Sequence, residues 1–231
     1  MMSRERTARR AWSDGDGGRA YLRGLPVLTG AGPGFDPTDV PAEPVSLFVA
    51  WLQQAVEAGV PEPHAMTLST VDALGSPQAR VLIVKAVDAT GWHFAVNAVS
   101  QKGHDLAANP CAALTFYWPT LVRQVRISGT VVNDGPEASA QDFLARPPGS
   151  RAMALTLRQS QPLVDSAELE AEIEKAHRKL DDDPDFVPDE WISYVVQPHH
   201  VEFWEGAADR RHRRLRYQRH GRRWVREQLW P

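Results

Sequence analysis

The sequence places cationic side chains at the ends of apolar stretches, a pattern that indicates anion binding. Arg80 begins the run ARVLIVK and Lys85 ends it. Ser100 and Lys102 stand where a predicted strand gives way to a predicted helix, and a helix N-terminus favours anions because its backbone N–H groups are unpaired. A lone arginine is usually a surface charge. Several cations separated by apolar runs instead predict phosphate ligands presented by a sheet, each charge-assisted bond contributing about 1.5–3 kcal/mol.

Other common chemistries lack their sequence motifs. The eight histidines form no HxxxH frame, there is no CxxC, and the sequence therefore predicts no metal site. A Walker loop, a GxGxxG fingerprint and a GxSxG elbow are also missing. Nine arginines crowd between positions 210 and 226, but the net charge of −3 argues against a general polyanion binder. That segment also lacks the clustered aromatic platforms of a single-strand nucleic-acid binder, so we expect no nucleic-acid partner.

The elements that must position these residues are mostly β-strands. Short turns join the first three predicted strands, AMTLSTVD, ARVLIVKAVD and WHFAVN, and the strands CAALTFYWP and VRQVRISGTVV follow. Three short strand candidates close the chain: WISYVVQP, HHVEFWEG and the hairpin RLRYQRHGRRWVREQLWP. Short connections favour an antiparallel sheet or barrel, and the helices occur as insertions. The predicted fold class is therefore mainly β with helical insertions.

The composition of the chain changes near residue 44. Residues 1–43 are polar and then rich in Gly and Pro, which predicts a flexible N-terminal arm, and residues 44–231 read as one globular domain. No apolar run is long enough to span a bilayer, and no signal-peptide core is visible. A single cysteine, Cys111, gives no sign of an oxidising compartment. These features predict a cytoplasmic protein with no membrane partner.

Six segments in the same order give the chain a family resemblance. They are ARVLIVK, NAVSQKGHDLAANP, FYWPTLVRQVRISG, FLARPPGS, RQSQ and VEFWEGAADRRHRRLRY. Together they resemble the pyridoxine/pyridoxamine 5′-phosphate oxidase family over residues 44–231. The resemblance implies an FMN-binding split barrel with six antiparallel strands, a C-terminal dimerisation segment, and a homodimer with FMN at its interface.

The resemblance also implies a set of FMN contacts, transferred position by position. Arg80 and Lys102 are implied at the FMN phosphate and Gln124 at the isoalloxazine ring. Gln159 and Ser160 match a pair that reaches FMN from the partner subunit. The full implied set is Arg80, Val81, Leu82, Ile83, Val84, Lys85, Ala95, Val96, Gln101, Lys102, Gln124, Gln159, Ser160, Trp204 and Arg214.

The implied substrate is a phosphorylated pyridine compound. Lys85, Arg146 and Ser150 match the groups that hold its phosphate, while Arg210 and His212 match the pair at its ring and are the implied catalytic residues. The implied reaction passes a hydride from the substrate's C4′ carbon to N5 of FMN, with oxygen as the final acceptor. This chemistry would serve the biosynthesis of pyridoxal phosphate.

Departures from the family pattern keep other functions open. Asp142 stands where the family usually has tyrosine, and we expect its carboxylate either to repel a substrate phosphate or to pair with Arg146. One alternative is an FMN oxidase of the same fold acting on a phenazine-type ring or another secondary metabolite. The other is a flavin-binding or nucleic-acid-binding protein without turnover.

Overall fold

The computed structural model describes residues 15–231, and side-chain burial from residue 17 onward. Its helices are α1 (Gly15–Arg23), α2 (Pro44–Glu57), α3 (Gln101–Ala108), α4 (Pro136–Leu144), α5 (Pro148–Leu155) and α6 (Ser166–Asp182), with a 3₁₀ turn at Pro119–Leu121. None of the helices in this described part is long and apolar enough to cross a membrane.

The strands form one antiparallel sheet. They are β1 (Ala65–Val71), β2 (Pro77–Ile83), β3 (Ala86–Asp88), β4 (Gly91–Asn97), β5 (Cys111–Trp118), β6 (Arg123–Asn133), β7 (Trp191–Glu205), β8 (Arg213–His220) and β9 (Arg223–Gln228). Six longer strands follow the order β2-β1-β5-β6-β7-β4, as in the predicted six-stranded barrel. The short β3 extends the β4 edge, and the β8–β9 hairpin branches from β7. The mainly β class with helical insertions is confirmed.

Two strand boundaries differ from the sequence prediction. The run ARVLIVKAVD is divided at Val84 and Lys85 into β2 and β3. WISYVVQP and HHVEFWEG are one strand of 15 residues, β7, because a bulge beside Pro198 absorbs the break. Bulges tolerate proline and increase the local twist. The bulge lets the first part of β7 pair with β4 and the last part with β8.

The core is built around α2. Phe48 and Trp51 lie three residues apart on one helix face, and both are fully buried. Phe48 contacts Trp92 and Phe116 edge-on, with ring centroids 5.3 and 4.9 Å apart, and Trp51 meets Phe203 at 5.1 Å. Burying such side chains contributes about 1.5–3 kcal/mol each, so this helix fixes the sheet from inside.

Part of the predicted arm lies against the barrel. The Phe35 ring packs edge-on against Trp51 at 5.0 Å, and the Tyr217 hydroxyl donates to the Pro41 carbonyl at 2.7 Å. Arg226 donates to the Val40 carbonyl at 2.8 Å. The domain boundary at residue 44 and the flexibility of the arm stay predictions, and residues 1–14 lie outside the described residues.

Candidate functional site

A cavity of about 520 Å³ lies between the sheet and the helical insertions. Strands β2 and β4 supply one wall, α3 closes one end, and α5, α6 and their connection form the opposite wall. The size and largely apolar lining suit a small ring compound. Nine of the predicted residues line it: Val81, Leu82, Ile83, Lys85, Ala95, Val96, Lys102, Arg146 and Gln159.

One end of this cavity holds a buried cation with neutral partners. The Lys102 ammonium donates to Ser100 Oγ at 3.2 Å and to Gln159 Oε1 at 2.9 Å. Among residues 15–231 no carboxylate oxygen lies within 4.0 Å of it. Burial lowers the pKa of Lys102, and the nearby Arg80 charge lowers it further. A bound anion would relieve both effects, so this donor set fits the phosphate of FMN.

The start of α3 completes that end. Ser100 is the N-cap residue, and its hydroxyl oxygen accepts a hydrogen bond from the Gly103 N–H at 3.4 Å. The same hydroxyl donates to the Asn97 carbonyl at 2.6 Å, which ties the helix start to the end of β4. The helix N-terminus and Lys102 therefore present positive charge to the same place.

Gln159 and Ser160 reach this end within their own chain. Leu157 and Ser160 both adopt positive φ, +53° and +75°, and turn the segment after α5 back toward α3. The Gln101 N–H lies 3.4 Å from Ser160 Oγ. The left-handed turn brings this pair to Lys102 of its own chain, and the expectation that it reaches FMN from the partner subunit stays a prediction.

Arg80 lies behind the cavity wall and does not line it. Its guanidinium donates to Thr70 Oγ1 at 2.6 Å and pairs with Asp105 at 3.4 Å. Burial alone would raise the pKa of Asp105, but hydrogen bonds from Thr70 and Gln101 and the Arg80 charge lower it. Gln101 likewise turns its side chain to Asp105, at 2.8 Å. Neither residue lines the cavity, and Val84 is buried outside the lining. The contacts of all three with FMN stay predictions.

The lining residues Lys85, Arg146 and Trp191 form a second part of the cavity, and Asp142 lies behind it, paired with Lys85 and not with Arg146. Asp142 Oδ1 lies 3.6 Å from the Lys85 ammonium, and the Trp191 indole N–H donates to Oδ2 at 2.9 Å. The Arg146 guanidinium lies 4.2 Å from the centre of the Trp191 ring. Burial lowers the pKa of Arg146, and the charge of Asp142 opposes this shift.

Arg146 has unused hydrogen-bonding capacity. Its Nη2 donates to the Ser150 carbonyl at 3.2 Å, and its Nε is buried and has no partner among the described residues. Ser150 thus meets Arg146 through its main chain, and its side chain does not line the cavity. Arg146 is therefore a candidate anion ligand through its terminal nitrogens, and the buried Nε is not open to the cavity.

The remaining predicted residues form a second group on other strands. Gln124, Trp204 and Arg214 lie directly opposite one another across β6, β7 and β8, so their side chains share one face of the sheet. All three are partly exposed, and none lines the cavity. The Arg214 Nε donates to Glu202 at 2.9 Å.

His212 and Arg210 belong to the same group. His212 Nδ1 accepts a hydrogen bond from the Ala207 N–H at 3.0 Å, and its ring lies 5.1 Å from Trp204. This bond leaves Nε2 as the protonated nitrogen of the neutral ring. Arg210 is exposed, with a left-handed φ of +66°. Within one chain, the predicted residues therefore fall mainly into two separate groups, one at the cavity and one on β6, β7, β8 and the loop between β7 and β8.

Several lining residues escaped the sequence analysis. Trp191 holds Asp142 and supports Arg146, and it pairs with Asn97 across β4 and β7. The Asn97 side chain donates to the Ala154 carbonyl at 3.1 Å and accepts from the Val99 N–H at 3.1 Å. Trp191 lies outside the six segments that carry the family resemblance, and Asn97 begins one of them without having been predicted as a site residue; the strand register brings both to the cavity. Other lining residues that were not predicted include Arg158, Leu163, Glu168 and Glu172.

Two family models match the chain. Residues 52–179 match the pyridoxamine 5′-phosphate oxidase model, and residues 191–231 match the pyridoxine 5′-phosphate oxidase C-terminal dimerisation region. The second match contains β7–β9 and supports a homodimer.

Curated relatives cover most of the chain. A pyridoxine/pyridoxamine 5′-phosphate oxidase of Pseudomonas fluorescens is 44% identical over 200 residues, covering 86% of this chain and 93% of the relative. The enzyme of the same name from Bordetella petrii is 48% identical over 191 residues, covering 82% and 90%.

Solved structures agree with this assignment. PhzG from Burkholderia lata, in complex with tetrahydrophenazine-1-carboxylic acid, has a TM-score of 0.80 at 31% identity, covering 87% of this chain and all of that one. A pyridoxamine 5′-phosphate oxidase-related, FMN binding protein from Nostoc punctiforme shares the fold, with a TM-score of 0.68 at 17% identity. The chain therefore belongs to the pyridoxamine 5′-phosphate oxidase family, and it is an FMN-dependent oxidase with the family's split-barrel fold.

Proposed function

We propose that the protein holds the FMN phosphate at Lys102 and oxidises a small ring compound bound between the apolar wall and Arg146. The observation that carries this proposal is the buried Lys102 ammonium, which faces a cavity of about 520 Å³ and has only neutral oxygen partners among residues 15–231. A buried cation of this kind is costly without an anion, and FMN supplies one.

The cavity offers each part of FMN a matching surface. Lys102 and the N-terminus of α3 would hold the phosphate, with Gln159 completing the donor set. Val81, Leu82 and the pair Ala95–Val96 would lie along the uncharged part of the molecule. When bound, FMN supplies the hydride acceptor that the cavity's side chains lack. The chain's own contribution is position and charge, with oxygen proposed as the final acceptor.

The site needs a second subunit to unite its two groups. Gln124, Trp204, Arg210, His212 and Arg214 do not line the cavity of their own chain. Four of them fall within the matched dimerisation region. A two-fold interface presents the same surface on both subunits, so each copy would offer this group to the other's cavity. The proposed homodimer then contains two equivalent sites.

Two substrate classes follow from the relatives. The curated relatives are named for pyridoxine and pyridoxamine 5′-phosphate, which makes these compounds, and pyridoxal phosphate as product, the first candidates. The second class is another ring compound of secondary metabolism, in keeping with the ligand of PhzG. The Lys85–Asp142 pair favours the second class, because it occupies a cation that a phosphate would need.

The arginine-rich C-terminal segment supports a pocket role over a polyanion surface. Four of its arginines pair with carboxylates at 2.6–3.0 Å: Arg211 with Asp209, Arg213 with Glu205, Arg214 with Glu202 and Arg216 with Glu227. These pairs reduce the positive charge that a nucleic acid would need. A single cysteine is in keeping with the proposed cytoplasmic location.

The experiment is an FMN titration of the apoprotein, followed by flavin fluorescence, for the wild type and Lys102→Met. Loss of one charge-assisted contact should weaken FMN binding by roughly 10- to 100-fold, since such a contact contributes about 1.5–3 kcal/mol. Lys175→Met, which removes an exposed lysine of α6, is the matched control and should bind FMN as the wild type does. A wild-type protein that takes up no FMN would refute the proposal.

A further inference from the structure

We infer that Asp142 determines the substrate class by neutralising Lys85. With that cation occupied, the substrate end of the cavity is suited to a ring compound that carries one negative charge, such as a carboxylate. A doubly charged phosphate monoester is correspondingly disfavoured. This inference rests on the proposed function, because it concerns the compound that the FMN-loaded site accepts.

The position of Asp142 is fixed by two contacts. Its Oδ1 lies 3.6 Å from the Lys85 ammonium, and its Oδ2 accepts the Trp191 indole N–H at 2.9 Å. The Asp142 side chain is 14% exposed and does not line the cavity, whereas Lys85 and Trp191 do. Asp142 therefore acts through Lys85, as a positioning residue, and the indole keeps its carboxylate from turning toward solvent.

Charge complementarity gives the substrate class. Lys85 and Arg146 contribute two positive charges to this end, and Asp142 contributes one negative charge, which leaves a net charge of plus one. A phosphate monoester carries about −1.5 to −2 at pH 7 and needs both cations. A carboxylate carries one charge and is matched by one cation.

Arg146 supplies that cation in a suitable form. It lines the cavity, stacks on Trp191 and has no carboxylate within 4.0 Å among the described residues. Its buried Nε lacks a partner there. A guanidinium can bind a carboxylate through two parallel N–H···O bonds, and the only hydrogen bond of the Arg146 guanidinium among the described residues goes to the Ser150 carbonyl.

The test compares two ligands that share the pyridine ring and the reacting hydroxymethyl group. Pyridoxine 5′-phosphate carries a phosphooxymethyl group at ring position 5, and 5-pyridoxate carries a carboxylate there. Affinities are measured by calorimetry on FMN-loaded protein without oxygen, and KM and kcat by oxygen consumption. We expect the wild type to bind 5-pyridoxate at least tenfold more tightly than pyridoxine 5′-phosphate.

Three variants separate charge from structure. Asp142→Asn keeps an acceptor for the Trp191 N–H and removes the charge, and it should shift the ratio of the two dissociation constants at least tenfold toward the phosphate, through KM more than kcat. Asp142→Glu should keep the wild-type ratio. Glu174→Gln removes an exposed carboxylate of α6 that pairs with Arg178, and it should also leave the ratio unchanged.

The outcomes distinguish this inference from the proposed function. Tighter wild-type binding of pyridoxine 5′-phosphate, or an unchanged ratio in a folded Asp142→Asn, would overturn the inference while FMN-dependent oxidation stands. If Asp142→Asn does not fold, the wild-type preference and Asp142→Glu decide the question. A protein that binds neither FMN nor either ligand would overturn both.

Discussion

Replacement of Glu205 by glutamine should destabilise the barrel strongly, because it leaves the buried Arg123 cation without its counter-ion. Arg123 and Glu205 pair across β6 and β7 at 2.8 Å, and their side chains are 1% and 2% exposed. Burial lowers the pKa of Arg123, while the hydrogen bond and charge of Glu205 raise it. Removing one partner of such a pair costs about 3–5 kcal/mol, since the remaining charge stays buried without compensation.

The structure places the expected loss near the lower limit of that range. Arg123 also donates to the Gln54 side chain, and its guanidinium lies 4.0 Å from the centre of the Trp51 ring. Both neutral partners remain in the variant, as does the ability of a glutamine to accept a hydrogen bond. We therefore expect a loss of about 3 kcal/mol in the free energy of unfolding.

Urea denaturation followed by tryptophan fluorescence measures this loss. With m of about 2–3 kcal/mol/M, the midpoint should fall by roughly 1 M. Protein and FMN concentrations must be held fixed, because ligand and subunit binding also stabilise the fold. Glu227→Gln, which breaks the exposed pair with Arg216, is the control and should cost under about 1 kcal/mol. Equal losses in the two variants would refute the reasoning.

Three further predictions concern pH, the second group and the dimer. Burial lowers the pKa of His93, but hydrogen bonds and charges of Asp134 and Asp88 raise it overall. The stability that the charged ring contributes is therefore present below pH 6.5 and is lost as pH rises through the folded pKa. Unfolding of the wild type and of His93→Gln, measured at several pH values, checks this. Arg214→Ala should weaken FMN binding, Arg210→Ala should lower kcat/KM with FMN retained, and Arg213→Ala should do neither; identical behaviour of the three would contradict the assignment. A mixed dimer of one Lys102→Met subunit and one Arg214→Ala subunit should bind FMN at one site, where the intact Lys102 of one subunit meets the intact Arg214 of the other. A stable monomer in light scattering would exclude such a shared site.

The sequence predicted the kinds of elements better than their connections. Alternation of apolar residues located the strands, because side chains of a strand point to opposite faces in turn. One strand was predicted to end at Pro198 and another to begin at His199, yet a bulge beside Pro198 keeps β7 continuous, and bulges tolerate proline. A bulge depends on the partner strand, β6, which lies some 70 residues earlier in the chain. Local sequence cannot carry that information.

The sequence also did not show which residues of the site contact one another. Gln159 was expected to serve a second subunit, and this stays a prediction; within its own chain, a left-handed turn at Leu157 and Ser160 brings it to Lys102, a contact that the sequence did not indicate. Positive φ at residues other than glycine is uncommon and leaves little trace in the sequence. Asp142 was identified as a departure from the family, yet its partner proved to be Lys85 and not Arg146. Asp142 lies in the last turn of α4 and Arg146 follows the helix end, whereas the tertiary fold brings Lys85 to 3.6 Å from Asp142.

The two lysines of the cavity show why residue type alone does not define a binding site. Lys85 and Lys102 both follow apolar strands, and both were predicted to contact anions. Among the described residues Lys102 meets only neutral oxygens, and an external anion would stabilise its charged form. Lys85 meets Asp142 and has its charge balanced within the chain. An anion should therefore bind firmly at the first lysine and weakly at the second, so one cavity can retain the FMN phosphate at one end and discriminate against a substrate phosphate at the other.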